Sequence, residues 1–198
     1  GEGLRSTSIC SSLIRDTRSV MLCESPGRAV YRTFGGGREL MDRTATVSEL
    51  AGHLQRRGWW LACAESCTGG GIAAALTDLA GSSAWFDRGF VTYSNLAKQE
   101  MLGVSPDTLA RFGAVSRETV IEMAAGAIAC SRAHLSVAVS GVAGPAGGTP
   151  EKPVGTVWIA WGVGDQVSAV GEHFAGDRLQ IRAETVDAAL AGLLERAR

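Results

Sequence analysis

Apolar and polar positions follow two different periods along residues 44–198, as they do in folds that interleave strands with helices. Short, almost wholly apolar runs predict buried strands, and apolar residues three or four positions apart predict helices. The predicted strands cover 59–64, 90–93, 135–140, 156–161 and 167–174, and the predicted helices cover 46–58, 72–79, 97–102, a segment beginning at 105, 116–133 and 178–198. This order predicts an α/β fold, a three-layer α/β/α sandwich with a mixed sheet.

Punctuation residues set several of the predicted boundaries. Thr46 and Glu49 have the spacing of a capping box, and Gly58 is a plausible stop for the same helix. Residues 1–43 show neither period and contain serine and arginine clusters and a glycine triplet. We therefore predict a poorly ordered N-terminal extension at 1–43, whose apolar piece 20–22 is able to dock on a single domain at 44–198.

Composition excludes some classes of partner. The net charge of −1 gives no support for binding to nucleic acid or to a membrane surface. No apolar run approaches the roughly 20 residues that span a bilayer. The five cysteines are odd in number and scattered, and Cys63 and Cys67 lack the histidines or second cysteine pair of a zinc site. We expect a cytoplasmic protein without metal or cofactor.

A polar turn lies between the first predicted strand and the helix that follows it. Ser66, Cys67 and Thr68 occupy this turn, and glycines fill positions 69–71. Glycines allow close approach of a ligand to the backbone, and free amides at the start of a helix favour an anion or a developing oxyanion. The structural alternative is a tight turn in which the glycines only relieve steric crowding.

Lysine and tyrosine are rare in this chain. Only two of the 19 Lys and Arg residues are lysines, Lys98 and Lys152, and both lie in connecting regions rich in Gly, Ser or Asn. A GC-rich coding bias explains the excess of arginine but not these positions. Lysine, unlike arginine, is able to lose its proton and act as a base. Tyr93 is the one tyrosine in the predicted domain.

Six blocks of the sequence, taken in order, resemble the CinA C-terminal domain family. They are 64–70, 81–86, 89–95, 113–116, 140–145 and 152–157. The resemblance implies a nicotinamide-nucleotide amidohydrolase, which converts nicotinamide mononucleotide to nicotinic acid mononucleotide and ammonia. It also implies a serine nucleophile with a lysine and a tyrosine, which correspond to Ser66, Lys98 and Tyr93. A homodimer or higher homo-oligomer is expected, both from the resemblance and from an exposed pair Trp85 and Phe86.

Amide hydrolysis explains why these three residue types belong together. The reaction needs a nucleophile activated by a base, a proton donor for leaving ammonia and donors for the oxyanion. Lys98 must be neutral to take the serine proton, so its pKa must fall from about 10.4 at a cost of about 1.4 kcal/mol per unit, and burial is the expected means. Tyr93 would relay the proton or hold the amine. The hypothesis requires the Lys98 amine to reach the Ser66 hydroxyl.

Each catalytic candidate also has a structural or chemical alternative. Ser66 has the alternative of a helix N-cap, Lys98 that of a surface lysine, and Tyr93 that of a core residue with its hydroxyl at the rim. Cys67 is a rival nucleophile, because a helix N-terminus lowers the pKa of a thiol, or else a packed thiol. The histidines at 53, 134 and 173 fall outside the glycine-rich blocks and are not expected to form a Ser-His pair.

The substrate contacts are assigned more broadly. The expected substrate-binding residues are Glu65, Cys67, Thr68, Gly69, Gly70, Ser82, Ser83, Asn95, Gly141 and Gly144. Glu65 is either a local hydrogen-bond acceptor or a substrate contact, and Thr68 and Asn95 would orient ribose or amide groups. Phosphate would be bound by the amides of 69–71, by Ser82 and Ser83, or by the loop 141–148, with Arg88 and Lys152 as possible charge partners.

Two other functions remain open at this point. One is a non-catalytic module that keeps the cleft and binds a nucleotide or a protein partner. The other is a thiol enzyme that uses Cys67.

Overall fold

The structure, a computed structural model, describes the backbone of strands at 18–23 and 29–34 and all of residues 42–198. The strands are β1 (Arg18–Cys23), β2 (Ala29–Phe34), β3 (Leu61–Glu65), β4 (Phe86–Val91), β5 (Leu135–Gly141), β6 (Thr156–Val163) and β7 (Gln166–His173). The helices are α1 (Arg43–Arg57), α2 (Gly71–Thr77), α3 (Asn95–Leu102), α4 (Pro106–Phe112), α5 (Arg117–Ala129) and α6 (Arg178–Ala197), with a 3₁₀ turn at Ser82–Ala84. Every strand and helix predicted within 44–198 is present.

The strands form one mixed sheet in the order β2-β1-β7-β6-β5-β3-β4. Strand β3 is parallel to both of its neighbours, β4 and β5, and the remaining pairs are antiparallel. From β3 the chain passes through α2 to β4 on one side, and then through α3, α4 and α5 to β5 on the other side. The carboxyl end of β3 is therefore a topological switch point, the place where open α/β sheets usually bind ligands.

Helices cover both faces of the sheet, which confirms the predicted three-layer α/β/α class. Helices α1, α2 and α6 pack on one face, and α3, α4 and α5 pack on the other. All five residues of β3 are buried, with Leu61 and Cys63 facing the first layer and Ala62 and Ala64 facing the second. The alternation along a strand places Glu65 on the same face as Leu61 and Cys63, which is the face covered by α2.

Some boundaries differ from those predicted. Helix α1 begins at Arg43, and the Asp42 carboxylate accepts the Ala45 amide, so the predicted capping box at Thr46 is wrong. Gly58 is confirmed as the C-terminal stop, in the left-handed conformation that favours glycine. Strand β4 begins at Phe86, four residues before the predicted start, and ends at Val91.

The apolar pair at the start of β4 is not an exposed surface. Trp85 is buried and Phe86 is partly buried, packed against the core beneath α1, α2 and α6. The expectation of an exposed pair is therefore wrong, and the argument for a dimer that rested on it no longer holds.

Two strands lie within the segment 1–43, where the sequence analysis predicted none. Strand β1 pairs antiparallel with β2 and, through Val20 and Met21, with β7. Strand β1 begins with two polar residues and β2 contains Arg32 and Thr33, so neither shows the sustained apolar or alternating pattern from which the other strands were predicted. The rest of the predicted extension, residues 1–17, 24–28 and 35–41, lies outside the described residues.

Close packing of α3 against α5 depends on Gly126. A Cβ atom at this position would overlap the Leu102 carbonyl oxygen of α3, so a side chain would push the two helices apart. Glycine inside a helix costs roughly 0.5–1 kcal/mol relative to alanine, which makes its use here informative. Lys98 and Leu102 lie one helical turn apart and are both buried, so the same close approach sets the position of Lys98.

Candidate active site

A cleft of about 210 Å³ opens at the carboxyl ends of β3 and β5. It is lined by Ser66, Cys67, Tyr93, Lys98, Ala114, Val115, Ser140, Gly141, Ala143 and Arg178. The cleft is at the switch point of the sheet, and it brings together the three residues that the sequence analysis expected to be catalytic.

Ser66 is held by the sheet although it follows the last residue of β3. Its amide donates to the Val139 carbonyl of β5 at 3.1 Å, so the ladder between the strands continues through it. The hydroxyl oxygen lies 3.1 Å from Nζ of Lys98. Helix α2 has Gly70 as its N-cap and no side-chain cap, so the alternative that Ser66 is only a helix cap is wrong.

Lys98 is a buried lysine that forms no ion pair with any residue the structure describes. Its side chain comes from α3, the residue is 1% exposed, and Nζ donates to the Thr92 carbonyl at 2.8 Å. None of the ion pairs among the described residues includes it. Burial lowers the pKa of the amine below its ordinary value, because the charged form loses its hydration. The surface-lysine alternative is therefore wrong, and the approach to Ser66 that the hypothesis requires is present.

Cys67 is next to Ser66, but its surroundings disfavour the thiolate form that a cysteine nucleophile needs. The residue is buried, and burial raises the pKa of its thiol to about 12. A thiol with that pKa is almost entirely protonated near neutral pH and is a poor nucleophile. Cys67 lines the cleft as a packed thiol, and the thiol-enzyme interpretation loses its physical basis.

The glycine turn does not offer its amides to a ligand. The Gly69 amide donates to the Ser66 carbonyl at 3.1 Å and the Gly71 amide to the Thr68 carbonyl at 3.2 Å. The Gly70 amide donates to the Glu65 carboxylate at 3.0 Å. The prediction that these amides would bind an oxyanion or a phosphate is therefore contradicted.

Thr68 and Glu65 also bond to each other rather than to a substrate. Both are fully buried, and the Thr68 hydroxyl donates to the Glu65 carboxylate at 2.5 Å. Of the two roles weighed for Glu65, the local hydrogen-bond acceptor fits the structure. Thr68 is not placed to orient a ribose, because its one hydroxyl proton is used inside the turn.

Three predicted substrate contacts lie outside the cleft. Ser82 and Ser83 belong to the 3₁₀ turn before β4, near the bond from the Leu61 amide to the Trp85 carbonyl. That bond is at the amino end of β3, opposite to Ser66, because β3 and β4 run parallel. Asn95 is exposed at the start of α3 and does not line the cleft.

The two possible charge partners, Arg88 and Lys152, do not line the cleft, and both are bonded to other groups. Arg88 donates to Asp87 and to the Cys130 carbonyl, and Lys152 donates to the Phe112 carbonyl at 2.7 Å.

The end of β5 and the loop that follows it line part of the cleft. Gly141 lines it directly, and the Gly144 carbonyl accepts from Nη1 of Arg178 at 3.0 Å. Tyr93 lies two residues beyond β4, is 62% exposed, and accepts from Nη2 of Arg178 at 3.0 Å through its hydroxyl. Tyr93 is therefore not a core residue. Its hydroxyl is bonded to Arg178 and not to Lys98, so the structure gives no direct proton relay between the two.

Two arginines of α6 were missed by the sequence analysis. Arg178 lines the cleft at the first residue of the helix, and Arg182 donates to the carbonyls of Cys67 at 3.2 Å and Thr68 at 2.7 Å. The sequence did contain a signal for Arg178. A cation at a helix N-terminus is unfavourable because it opposes the helix dipole, so an arginine at that position suggests a functional role. Arg182 lies one turn further on, so both extend from the same side of the helix.

Metal and membrane chemistry receive no support from the described residues. Within them, no group of three His, Cys, Asp or Glu residues is arranged to hold a metal ion. No helix in that part of the chain is long and apolar enough to cross a membrane. None of the histidines at 53, 134 and 173 lines the cleft.

The fold and the cleft define an α/β protein in which a buried lysine amine lies 3.1 Å from a serine hydroxyl, within reach of its proton. The chain belongs to the CinA C-terminal domain family, whose model matches residues 43–197. It is 57% identical to a nicotinamide-nucleotide amidohydrolase PncC of Enterobacter agglomerans over 68% of this chain and 82% of that protein. It is 50% identical to the PncC of Escherichia coli K12 over 78% and 93%. A solved structure of a competence/damage inducible protein from Agrobacterium tumefaciens matches with a TM-score of 0.78 and 46% identity, covering 80% of this chain and 97% of that one.

Proposed function

We propose that this chain is a nicotinamide-nucleotide amidohydrolase that hydrolyses the carboxamide of nicotinamide mononucleotide through an acyl-enzyme on Ser66. The observation that carries the proposal is the buried Lys98 amine 3.1 Å from the Ser66 hydroxyl. Relatives 50–57% identical to this chain carry the name of this activity. A protein that only binds a nucleotide has no need to bury an unpaired lysine beside a serine, which is why the hydrolase is preferred to a binding module.

The geometry supports a two-stage reaction. Neutral Lys98 takes the Ser66 proton as Oγ attacks the carboxamide carbon, and a tetrahedral intermediate forms. Protonated Lys98 then gives that proton to the amide nitrogen, the C–N bond breaks, and ammonia leaves an ester on Ser66. In the second stage Lys98 takes a proton from water, the hydroxide attacks the ester, and the proton returns to Ser66 as nicotinic acid mononucleotide leaves.

The remaining polar groups of the cleft are assigned to the substrate. Among the described residues, Arg178 is the one charged side chain besides Lys98 that lines it, and a guanidinium suits the bidentate binding of a phosphate. Tyr93 holds Arg178 through its hydroxyl and offers an exposed ring beside it. The proposed substrate-binding set therefore centres on Tyr93, Gly141, Gly144 and Arg178.

The direct test is ammonia release. Purified protein incubated with nicotinamide mononucleotide is expected to release ammonia and nicotinic acid mononucleotide in equal amounts. Nicotinamide riboside, which lacks the phosphate, is the matched control and is expected to react with a much lower kcat/KM. Thermal stabilisation by the nucleotide without any product at micromolar enzyme would contradict the hydrolase and support the binding module.

The pH dependence follows from the lowered pKa of Lys98. The base must be neutral, so kcat/KM is expected to rise about tenfold per pH unit below the pKa of Lys98 and to be constant above it. The midpoint of the rise should lie below the ordinary lysine value of about 10.4. The unfolded chain holds this proton to higher pH than the folded chain does. Between the two pKa values the free energy of unfolding should therefore rise with pH.

Both halves of this prediction are measurable. A pH–rate profile gives the kinetic midpoint, and urea unfolding at several pH values gives the stability slope. A profile that rises only near the ordinary lysine pKa would contradict a neutral Lys98 at working pH.

Further proposals concern the extent of the domain, its assembly and its location. The domain is proposed to cover 44–198, and the enzyme to be metal-independent, cytoplasmic and a homodimer or higher homo-oligomer. The three described cysteines, Cys63, Cys67 and Cys130, are free, which fits a reducing compartment. The dimer rests on the family resemblance alone, because Trp85 is buried.

A further inference from the structure

We propose that Glu65 is a positioning residue that holds the nucleophile turn in its reactive shape, and that its two acceptor oxygens are needed for catalysis without touching the substrate. This inference rests on the proposed function, since it assumes that Ser66 is the nucleophile. It concerns a fully buried carboxylate next to the reacting pair, to which the mechanism gives no step.

The Glu65 carboxylate accepts from five donors inside the turn. Oε2 accepts from the Thr68 hydroxyl at 2.5 Å and from the Gly70 and Ile72 amides, both at 3.0 Å. Oε1 accepts from the Ala73 amide at 2.8 Å and from the Cys63 thiol at 3.6 Å. One side chain thus gathers the chain on both sides of Ser66, from the strand before it to the first turn of α2.

Three of these donors are backbone amides, which are unable to accept a hydrogen bond. A carboxylate is an acceptor at both oxygens and is able to accept from all of them, whereas the nitrogen of a side-chain amide only donates. The residue is fully buried, and none of the ion pairs among residues 42–198 includes it. The hydrogen bonds of its two oxygens therefore all go to the turn and to the elements on either side of it, and the shape of the turn depends on these bonds.

The backbone of Glu65 is fixed independently of its side chain. Its carbonyl accepts the Thr92 amide at 2.8 Å, and its register in β3 pairs it with both neighbouring strands. The Ser66 amide is likewise fixed on Val139. The strand end is therefore rigid, and the carboxylate determines how the chain turns away from it at Cys67 and beyond.

The same carboxylate is excluded from the chemistry itself. Glu65 does not line the cleft, whereas Ser66 and Cys67 on its carboxyl side do. With both oxygens bonded inside the turn, it is free neither to act as a base nor to bind a substrate. It affects the reaction by setting the position of the Ser66 hydroxyl relative to the Lys98 amine. A misplacement of reacting groups by about 1 Å costs about 10²-fold in rate.

Glu65→Gln is the sharpest test, because it keeps the shape and replaces one acceptor oxygen by a donor. The chain offers a matched control in Glu122, whose carboxylate accepts the Ser105 amide at 2.7 Å and the Thr108 hydroxyl at 2.5 Å at the start of α4. Glu122→Gln removes the same kind of helix-start contact at a place outside the cleft. Both variants are expected to lose thermal stability, which a merely structural role would also produce.

The two variants should separate in kinetics and in serine reactivity. Glu65→Gln is expected to lower kcat about 10²-fold with KM within about threefold, and to slow labelling of Ser66 by a fluorophosphonate probe by a similar factor. Glu122→Gln should change neither. Rates are referred to the folded fraction measured by circular dichroism. Equal kcat and equal labelling in Glu65→Gln and the wild type would overturn the inference.

A second pair of variants serves if Glu65→Gln does not fold. Thr68→Val removes one donor to the carboxylate, and Thr68→Ser keeps it while losing the methyl group. We expect Thr68→Val to lower kcat and serine labelling several-fold and Thr68→Ser to restore them. Equal loss in both would assign the effect to packing and overturn the inference.

The labelling assay separates this inference from the proposed function. If the wild type releases no ammonia but Ser66 is labelled, and labelling falls only in Glu65→Gln, then the substrate is wrong and the positioning role survives. If Ser66→Ala is inactive while Glu65→Gln is not impaired, the function survives and the positioning role is wrong.

Discussion

Replacing Ser66 by alanine is expected to lower kcat for nicotinamide mononucleotide hydrolysis at least about 10⁴-fold, because the acyl-enzyme loses the atom on which it forms. Ser66 is only 8% exposed, but the alanine methyl group fits where the serine side chain lies, so the fold should be kept. Binding should also be kept, since the contacts assigned to Arg178 and Tyr93 are untouched. Ammonia release, together with nucleotide affinity by calorimetry, measures both quantities.

Cys67→Ala is the matched control for that experiment. It alters the adjacent residue of the same turn, and its buried thiol has a pKa of about 12. Its activity is expected to stay within about threefold of the wild type. Full activity in Ser66→Ala, or its loss in Cys67→Ala with Ser66 still reactive, would show that the nucleophile has been assigned to the wrong side chain.

Replacing Lys98 by methionine is expected to lower kcat about 10³-fold or more, because the Ser66 proton then has no acceptor. Methionine matches the length of the lysine chain and accepts burial readily. The Thr92 carbonyl loses its donor, at a cost of about 1–3 kcal/mol, but the buried amine no longer has to be desolvated. The variant is therefore expected to remain folded, as checked by circular dichroism and urea unfolding.

Lys98→Arg separates a base from a fixed positive charge. The guanidinium keeps the charge but is not deprotonated in proteins, so this variant should be as inactive as Lys98→Met. Substantial activity in Lys98→Arg would mean that position 98 stabilises negative charge rather than taking a proton. The rise of kcat/KM with pH should also disappear in any residual activity of Lys98→Met.

Local signals in the sequence predicted the fold well. Gly58 and Gly103 end α1 and α3 in left-handed conformations, and Ser105, Pro106 and Ser116 mark the starts of α4 and α5. These signals act between residues close in sequence and need no knowledge of the tertiary structure. The boundary at Thr46 was wrong for a related reason, since Asp42 supplies an equally local cap four residues earlier.

The site was predictable only in part, because its contacts are long-range. Ser66 and Lys98 are 32 residues apart, and the family resemblance rather than any spacing linked them. Arg178 forms a hydrogen bond with Tyr93, which is 85 residues away in the sequence, and no periodic pattern predicts such a contact.

The position of the Glu65 side chain was easier to predict from the sequence. Strand alternation places its side chain beside the first amides of α2, on the face shared with Leu61 and Cys63. The sequence does not show that these amides donate their hydrogen bonds to the Glu65 carboxylate, and for that reason the glycine amides were expected to bind a ligand.

The most direct measurement of the central claim is the covalent state of residue 66 during turnover. Enzyme mixed with nicotinamide mononucleotide and quenched in acid is digested, and the peptide that contains Ser66 is analysed by mass spectrometry. The account predicts that this peptide carries the nicotinate mononucleotide acyl group as an ester on Ser66, and that Lys98→Met does not form it. Turnover with the acyl group on Cys67, or with unmodified Ser66 throughout, would contradict it.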